Sequence, residues 1–371
     1  MTRLPFRALA AALCLWLFTA QPSMAQAARP RVRTPQRSAA TRVAPEPTGL
    51  TPEMRVVAGH INVNSLRGHV SFLASDLLEG RDTPSRGLDI AGEYIASHFR
   101  RLGLEPAGDD GYFQTVVLKS EDPDLPNSRN VAGILQGSDP ALKDTYVMLT
   151  AHYDHVGLAQ TGDDRIFNGA NDDASGTASV LEIANALASL HPRPRRSVLF
   201  ILFCGEEKGL RGSRYYAEHP LVPLAKTVAH LNLEQLGRTD APEGPQVNTA
   251  NVTGFDYSDI PAILVDAGRR VGITVSKVAK ASDAYFNRSD NGPIARMGVP
   301  AHTLSVTYEF PDYHAVGDEW QKIDYDNMAK VDQAVGIGVL RMAQALTGPK
   351  WSDSYPAAKP YAEAAKKLRE Q

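Results

Sequence analysis

Several residues with metal-binding or acid–base side chains lie in one stretch of the chain, which reads TAHYDHVG and, after a polar loop, NGANDDASG. His152 and Asp154 follow a run rich in strand-forming residues. Asp172 and Asp173 precede an apolar run typical of a helix, with Ser175 as its candidate N-cap. The pattern predicts a strand, a polar loop and a helix. A histidine and two acids at the edge of a sheet are a candidate metal site.

More acids and a histidine follow other predicted strands. Glu206 and Glu207 come after SVLFILF, an apolar run typical of a strand buried on both faces. Glu234 follows VAHLNL, and His314 comes shortly after VPAHTLSV. Ligands of open α/β sheets bind beyond the carboxyl ends of the strands, so one rim of the sheet should collect these side chains. Crowding that many carboxylates together costs several kcal/mol unless a cation joins them.

The donor set indicates the kind of metal and the kind of chemistry. Imidazole and carboxylate suit zinc, and a bridging carboxylate suits a pair of metals about 3.5–4 Å apart. Hydrolysis also needs a base that is not a ligand. Glu206 and Glu207 are adjacent and point in different directions, so one could bind metal while its neighbour takes a proton.

Each of these residues also has an ordinary structural interpretation. His152 could cap a strand end, and Glu206 and Glu207 could begin a solvated helix. Asp172 and Asp173 could be simple N-terminal capping residues. Glu234 is harder to explain in this way, because an unpaired buried carboxylate is costly. The other histidines of this region are interpreted as structural or surface residues: His155, His191, His219, His230 and His302.

Strands that alternate with helices predict an α/β fold with a mostly parallel central sheet and helices on both faces. Helices are expected on both sides of a break at Thr83-Pro84-Ser85. The catalytic domain is predicted to span residues 56–348, followed by a mostly polar tail, 349–371, that ends in a short helix. Residues 26–55 are rich in Pro, Ala and Arg, and we expect no fold there.

The N-terminus predicts export. Residues 1–25 carry a basic start, an apolar core and an A-x-A-like cleavage site, which together indicate a secretory signal peptide and a periplasmic or secreted protein. The apolar run is too short for a membrane span, so no stable membrane insertion is expected after cleavage. A formal net charge of −3 gives no basic field for nucleic acid. Composition does not determine the oligomeric state.

The motifs HYDHVG, GANDDASG, CGEEKGLRGS, NLEQLGR, SDN…GVPA and YHAVGDEW occur in the order typical of one family. In this order they resemble the dizinc aminopeptidases, which include aminopeptidase Y, aminopeptidase S and bacterial leucyl aminopeptidases. Glutamate carboxypeptidase II, glutaminyl cyclase and the transferrin receptor ectodomain are more distant relatives. The resemblance covers roughly residues 62–345.

This resemblance implies an enzyme that releases N-terminal residues from peptides by means of two zinc ions and a bridging hydroxide. It makes Glu206 the general base and gives Asp154 the role of orienting the ring of His152. Asp173 would take part in an unusual peptide link that can be cis. Tyr285 is a candidate near the substrate oxyanion. The zinc ligands that the resemblance implies are His152 and Glu234 on one ion, Glu207 and His314 on the other, and Asp172 between them.

Two positions depart from the pattern of the family. Glu234 stands where these enzymes more often have Asp, and Asn291 stands where the motif SDH is common. Peptides are the expected substrates. Alternative functions are C-terminal cleavage or glutaminyl-cyclase-like amide chemistry at the same site, and a non-catalytic scaffold without metal.

Overall fold

The computed structural model describes residues 49–118, 126–278 and 281–370. The predicted signal peptide and the Pro-rich segment as far as residue 48 lie outside the described residues. The helix Pro52–His60 begins inside the segment 26–55 for which no fold is expected, so the folded part starts before the predicted boundary. Thr51 caps this helix by accepting a hydrogen bond from the amide of Met54, and Pro52 suits the first turn.

The elements are numbered in chain order. The helices are α1 (Pro52–His60), α2 (Val63–Leu73), α3 (Arg86–Arg101), α4 (Gly176–Ala188), α5 (Arg211–Glu218), α6 (Ile260–Val271), α7 (Ala281–Ala284), α8 (Asn291–Arg296), α9 (Tyr325–Gln344) and α10 (Lys359–Arg369). The strands are β1 (Glu105–Pro106), β2 (Phe113–Val116), β3 (Ser128–Leu135), β4 (Tyr146–His152), β5 (Ser197–Phe203), β6 (Thr227–Leu233), β7 (Asp240–Ala241), β8 (Gly244–Pro245), β9 (Thr249–Val252), β10 (Thr274–Ser276) and β11 (Ala301–Ser305).

In the described part of the chain, nine strands form one sheet in the order β1-β3-β5-β4-β6-β11-β9-β10, with β2 also paired to β3. The four central strands β5, β4, β6 and β11 run parallel. β3 is antiparallel to β5, and β9 is antiparallel to β11. The prediction of an α/β fold around a largely parallel sheet is confirmed for this centre, while the outer strands make the sheet mixed.

Helices cover both faces of the sheet, and β5 shows why its sequence is apolar throughout. Val198, Phe200 and Leu202 pack into one core with α4 and α9. Leu199, Ile201 and Phe203 pack into a second core with α5, α8 and α10. Because successive side chains of a strand point to opposite faces, a strand buried on both sides has no polar alternation.

The segment between α2 and α3 has an unusual backbone. Asp76–Arg81 forms a 3-10 segment in which Glu79, Gly80 and Arg81 all have positive φ. A Cβ atom on Gly80 would collide with the carbonyl oxygens of Gly157 and Phe167. This turn therefore lies tightly against the loops that follow β4 and precede α4. None of the helices among the described residues is long and apolar enough to span a membrane.

Candidate metal centre

The carboxyl end of β4 positions the first two predicted site residues. His152 is the last residue of β4, and both it and Asp154 are fully buried. His152 Nδ1 lies 3.2 Å from the carbonyl oxygen of Asp154 and 3.5 Å from its Oδ1. Nε2 lies 3.2 Å from Oδ1 of Asp172 and makes no hydrogen bond to any of the described residues. Asp154 thus fixes one side of the ring, and the other nitrogen is directed toward Asp172.

The loop before α4 holds Asp172 through its backbone. The amides of Asn171 and Asp172 donate to the carboxylate of Asp318 at 3.0 Å. The peptide bond between Asp172 and Asp173 is cis, as the resemblance allows. Asp173 Oδ1 accepts from the amides of Gly176 and Gln235, both at 3.0 Å. Asp173 therefore joins this loop to the end of β6, and Asp172 is left for the site.

Two groups of potential ligand atoms meet at Asp172. Within each group the ligand atoms lie within 4.8 Å of one another. One group contains His152, Asp172 and Glu234, and the other contains His155, Asp172, Glu207 and His314. The structure thus brings together all five side chains that the resemblance implies as zinc ligands, with Asp172 common to both groups.

The second group includes a residue that the sequence analysis placed elsewhere. His155, interpreted from the sequence as a structural or surface residue, is fully buried and not at the surface, and its Nδ1 lies 2.9 Å from Oε1 of Glu207. It also lies 4.0 Å from Oδ2 of Asp172. His314 Nε2 lies 3.1 Å from the same Asp172 oxygen and 3.2 Å from Glu207 Oε1. The only available signal was that His155 shares the loop of His152 and Asp154.

The adjacent glutamates Glu206 and Glu207 are placed differently. Glu207 belongs to the second ligand group, whereas Glu206 belongs to neither and lines the adjoining pocket. The amide of Glu206 donates to Asp154 Oδ1 at 3.2 Å, so the residue that holds His152 also holds the turn after β5. Glu207 thus lies among the candidate ligands, and Glu206 lies beside them in the wall of the pocket.

The protonation of the centre reflects its crowded acids. Burial tends to lower the pKa of His152, but the nearby carboxylates of Asp154 and Asp172 raise it well above its ordinary value. Hydrogen bonds to Asp172 and Glu207 raise the pKa of His314 to about 10. Burial raises the pKa of Glu234 to about 7. Burial, reinforced by neighbouring carboxylates, also raises the pKa of Glu206 well above its ordinary value.

In the protein alone, a proton on His314 would therefore neutralise part of the carboxylate charge. A divalent cation would take its place. Nitrogen and oxygen donors in two groups of three and four, with a buried His152 Nε2 that lacks a partner, fit zinc. The residues present therefore fit two metal positions that share one carboxylate.

A cavity of about 350 Å³ opens beside the two ligand groups. Tyr285 lines it, but its hydroxyl donates to the exposed Glu309 at 3.1 Å. Its ring stacks on that of Tyr308, whose hydroxyl is buried without a hydrogen-bond partner. Tyr313, next to the ligand His314, also lines the cavity. The structure thus places Tyr285 in the pocket wall and adds two tyrosines that the sequence analysis did not single out.

The two departures from the family pattern have different surroundings. Glu234 keeps a carboxylate in the first ligand group. Asn291 is fully buried and uses both ends of its amide: Nδ2 donates to the carbonyl of Phe286, and Oδ1 accepts from Thr303, each at 2.8 Å. An amide at position 291 therefore fastens α8 to β11 and is not one of the candidate ligands.

The sequence model of Peptidase family M28 matches residues 130–337, which is more than half of the chain. The chain belongs to Peptidase family M28. The matched region contains every candidate ligand and Glu206, so the family assignment and the ligand geometry concern the same part of the molecule.

Curated relatives are similar to this chain over part of their length. A probable zinc metalloprotease of Pyrenophora tritici-repentis is 29% identical over 186 residues, which are 49% of this chain and 42% of that protein. Aminopeptidase NAALADL1 of Rattus norvegicus is 27% identical over 259 residues, 61% of this chain and 33% of that protein. The chain thus spans less than half the length of these two relatives.

Solved structures share the fold. LapA aminopeptidase of Legionella pneumophila superposes with a TM-score of 0.61 at 18% identity, over 79% of this chain and 75% of that one. The zinc aminopeptidase BSAP of Bacillus subtilis gives 0.60 at 16% identity, over 80% and 97%. A glutaminyl cyclase of Porphyromonas gingivalis gives 0.57 at 20% identity, over 76% and 96%. At such identities the likeness concerns the fold.

Proposed function

We propose that this M28 protein is a zinc-dependent aminopeptidase that binds two zinc ions and releases N-terminal residues from peptides. The observation that carries the proposal is the convergence of two ligand groups on the shared, buried Asp172 at the wall of a cavity. Zinc metalloproteases and an aminopeptidase among the relatives support the same chemistry.

We place one metal ion at each ligand group. His152, Asp172 and Glu234 would hold one ion, and Asp172, Glu207 and His314 would hold the other, with His155 against Glu207. When bound, zinc supplies Lewis-acid polarisation of the scissile carbonyl and lowers the pKa of water. Zinc binds a neutral imidazole, so metal binding would displace the proton of His314 and be coupled to proton release.

Glu206 is the residue placed to move protons. It lines the cavity without belonging to a ligand group, and its turn is fastened by the hydrogen bond to Asp154. Two divalent cations nearby would favour its ionised form and offset the effect of burial on its pKa. The ionised Glu206 carboxylate then takes a proton from the attacking water and gives it to the leaving nitrogen.

The cavity offers acceptors for a free amino terminus. Asp172, Glu206, Glu207 and Glu234 all line it, and carboxylate oxygens that are not occupied by metal can accept hydrogen bonds from an amine. Held there, the amine would position the first peptide bond beside Glu206.

One observation supports C-terminal cleavage as a second candidate function. Arg288 also lines the cavity, stacked 4.5 Å from the centroid of Tyr285. Among the described residues it has no carboxylate partner, so it could receive the terminal carboxylate of a short peptide. In that case the substrate would lie in the cavity in the opposite direction.

A substrate panel tests the direction of cleavage and the need for zinc together. We expect turnover of aminoacyl-anilides and free short peptides, and little turnover of their N-acetylated forms, because acetylation removes the basic amine. A chelator should abolish the activity and zinc should restore it. Equal cleavage of free and blocked substrates, or release only from the carboxyl end, would contradict an aminopeptidase.

A further inference from the structure

Arg81 is a fully buried arginine that is not one of the candidate ligands. It belongs to the left-handed turn of Glu79, Gly80 and Arg81 between α2 and α3. Non-glycine residues keep such a backbone only where surrounding contacts enforce it. Two hydrogen bonds do so here: the amide of His155 donates to the Arg81 carbonyl at 3.2 Å, and that of Gly157 donates to the Gly80 carbonyl at 3.1 Å.

The guanidinium group of Arg81 connects three segments by donating to backbone carbonyls. Nε donates to Tyr153 at 2.9 Å, which lies between the ligand His152 and its partner Asp154. Nη1 donates to Asn168 at 2.7 Å and Nη2 to Gly169 at 2.9 Å, in the loop that leads to Asp172. Nη1 also donates to Leu73 at the end of α2. One planar group thus fastens the loop after β4 to the loop before α4.

The charge of Arg81 also acts on the centre. Among the described residues, all of its hydrogen-bond acceptors are neutral backbone carbonyls, so no hydrogen-bonded carboxylate neutralises its charge. Burial lowers the pKa of Arg81 to about 10, while Asp154 and Asp318 raise it, and the group remains a cation at neutral pH. A fixed positive charge behind the carboxylates reduces their mutual repulsion before metal arrives.

We propose that Arg81 is a positioning residue of the metal centre, which holds the loop of His152 and the loop of Asp172 at the separation that zinc requires. This inference rests on the proposed zinc site but adds a residue that binds neither metal nor substrate. A lysine could keep the charge, but its three donors on one nitrogen cannot reproduce the planar fork with its four acceptors.

Arg196 offers a matched control at the opposite end of the sheet. It is also buried, and it donates to the carbonyls of Ala345 and Leu346. It immediately precedes β5, whereas the ligands follow the carboxyl ends of the strands. Replacing Arg196 should therefore lower stability without moving a ligand.

The test is the zinc dissociation constant of the full chain, measured by competition with a chromophoric chelator. We expect Arg81→Lys to bind zinc about 10-fold more weakly than wild type and Arg81→Met about 100-fold more weakly, the range found when partners of metal ligands are removed. Arg196→Met should bind zinc as wild type does, even where its melting temperature falls. Methylguanidinium added to Arg81→Ala should recover part of the lost zinc affinity.

Unchanged zinc affinity in Arg81→Lys and Arg81→Met would overturn the inference, and so would an equal loss in Arg196→Met. If Arg81→Met does not fold, Arg81→Lys decides in the same way. A wild-type protein that binds no zinc would instead refute the proposed function. Wild-type zinc binding and peptidase activity, with unaffected Arg81 variants, would refute the role of Arg81 alone.

Discussion

Two buried groups of histidine and carboxylate in the described residues differ in how their polar atoms are paired. In the polar cluster of α2, α3 and α4, Glu182 accepts from the amide of Asn62 at 2.9 Å and from Ser65 Oγ at 2.6 Å. His69 Nδ1 pairs with the hydroxyl of Tyr94 at 2.9 Å. One carboxylate there has two neutral donors and needs no cation.

The metal centre has the opposite composition. The carboxylates of Asp172, Glu207 and Glu234 lie within ligand distance of histidine nitrogens, and Asp172 belongs to both groups. A buried carboxylate beside a histidine is therefore not by itself a sign of metal. The convergence of several carboxylates and several histidines on one buried acid separates a site that needs a cation from a structural network.

The largest expected difference between the two regions concerns metal content. Glu207→Gln removes a ligand and should reduce bound zinc from two ions per chain to one or fewer, with loss of activity. Glu182→Gln alters the polar cluster and should retain both ions. Elemental analysis of the purified proteins measures the zinc content. Equal zinc content in the two variants would contradict the distinction between the metal centre and the polar cluster.

A smaller but still large effect is expected within the centre itself. Glu206→Gln keeps the size of the side chain but cannot accept a proton, so kcat should fall about 10²–10⁴-fold while zinc is retained. Steady-state kinetics and elemental analysis on the same preparation test this. Loss of zinc from Glu206→Gln with zinc kept by Glu207→Gln would reverse the two roles, and unchanged kcat would exclude Glu206 as the base.

The smallest effect concerns pH and the polar cluster. Burial, with small contributions from His98 and Arg101, lowers the pKa of His69 to about 3. Between about pH 3 and pH 6.5 the unfolded chain therefore binds a proton at His69 that the folded chain does not. The free energy of unfolding falls as pH is lowered through this range, and above about pH 6.5 this loss of stability is absent. In the metal-free protein, the free energy of unfolding should fall less steeply with decreasing pH after His69→Gln, with a slope that is smaller by up to about 1.4 kcal/mol per pH unit. Urea titrations at several pH values measure the slope, and identical slopes would contradict this account.

The centre of the fold could be predicted from local patterns. The apolar runs of β4 and β5 identify them as strands without knowledge of the rest of the fold. Their alternation with helices indicates that the centre of the sheet is parallel. The antiparallel edges could not be predicted in this way. Strands such as β9 and β10 have four and three residues, and their direction depends on neighbours that are distant in sequence.

The candidate site could be predicted where residues follow strands, and less well elsewhere. His152, Glu207 and Glu234 all come directly after strand signals, and the structure brings them to one rim. His155 depends on the path of its loop past Glu207, which the sequence does not show. Arg81 was missed because arginine is usually exposed, and its burial depends on carbonyls supplied by three separate segments.

The hydrogen bonds from the loop of Asp172 to Asp318 have a consequence for how the molecule forms. They join segments about 150 residues apart, and the second ligand group is incomplete until the chain has passed His314. Contacts of such separation form late in folding, because the intervening chain must be ordered first. We therefore expect zinc to act on chains whose topology is already complete, so that metal uptake marks the end of maturation and does not nucleate the fold.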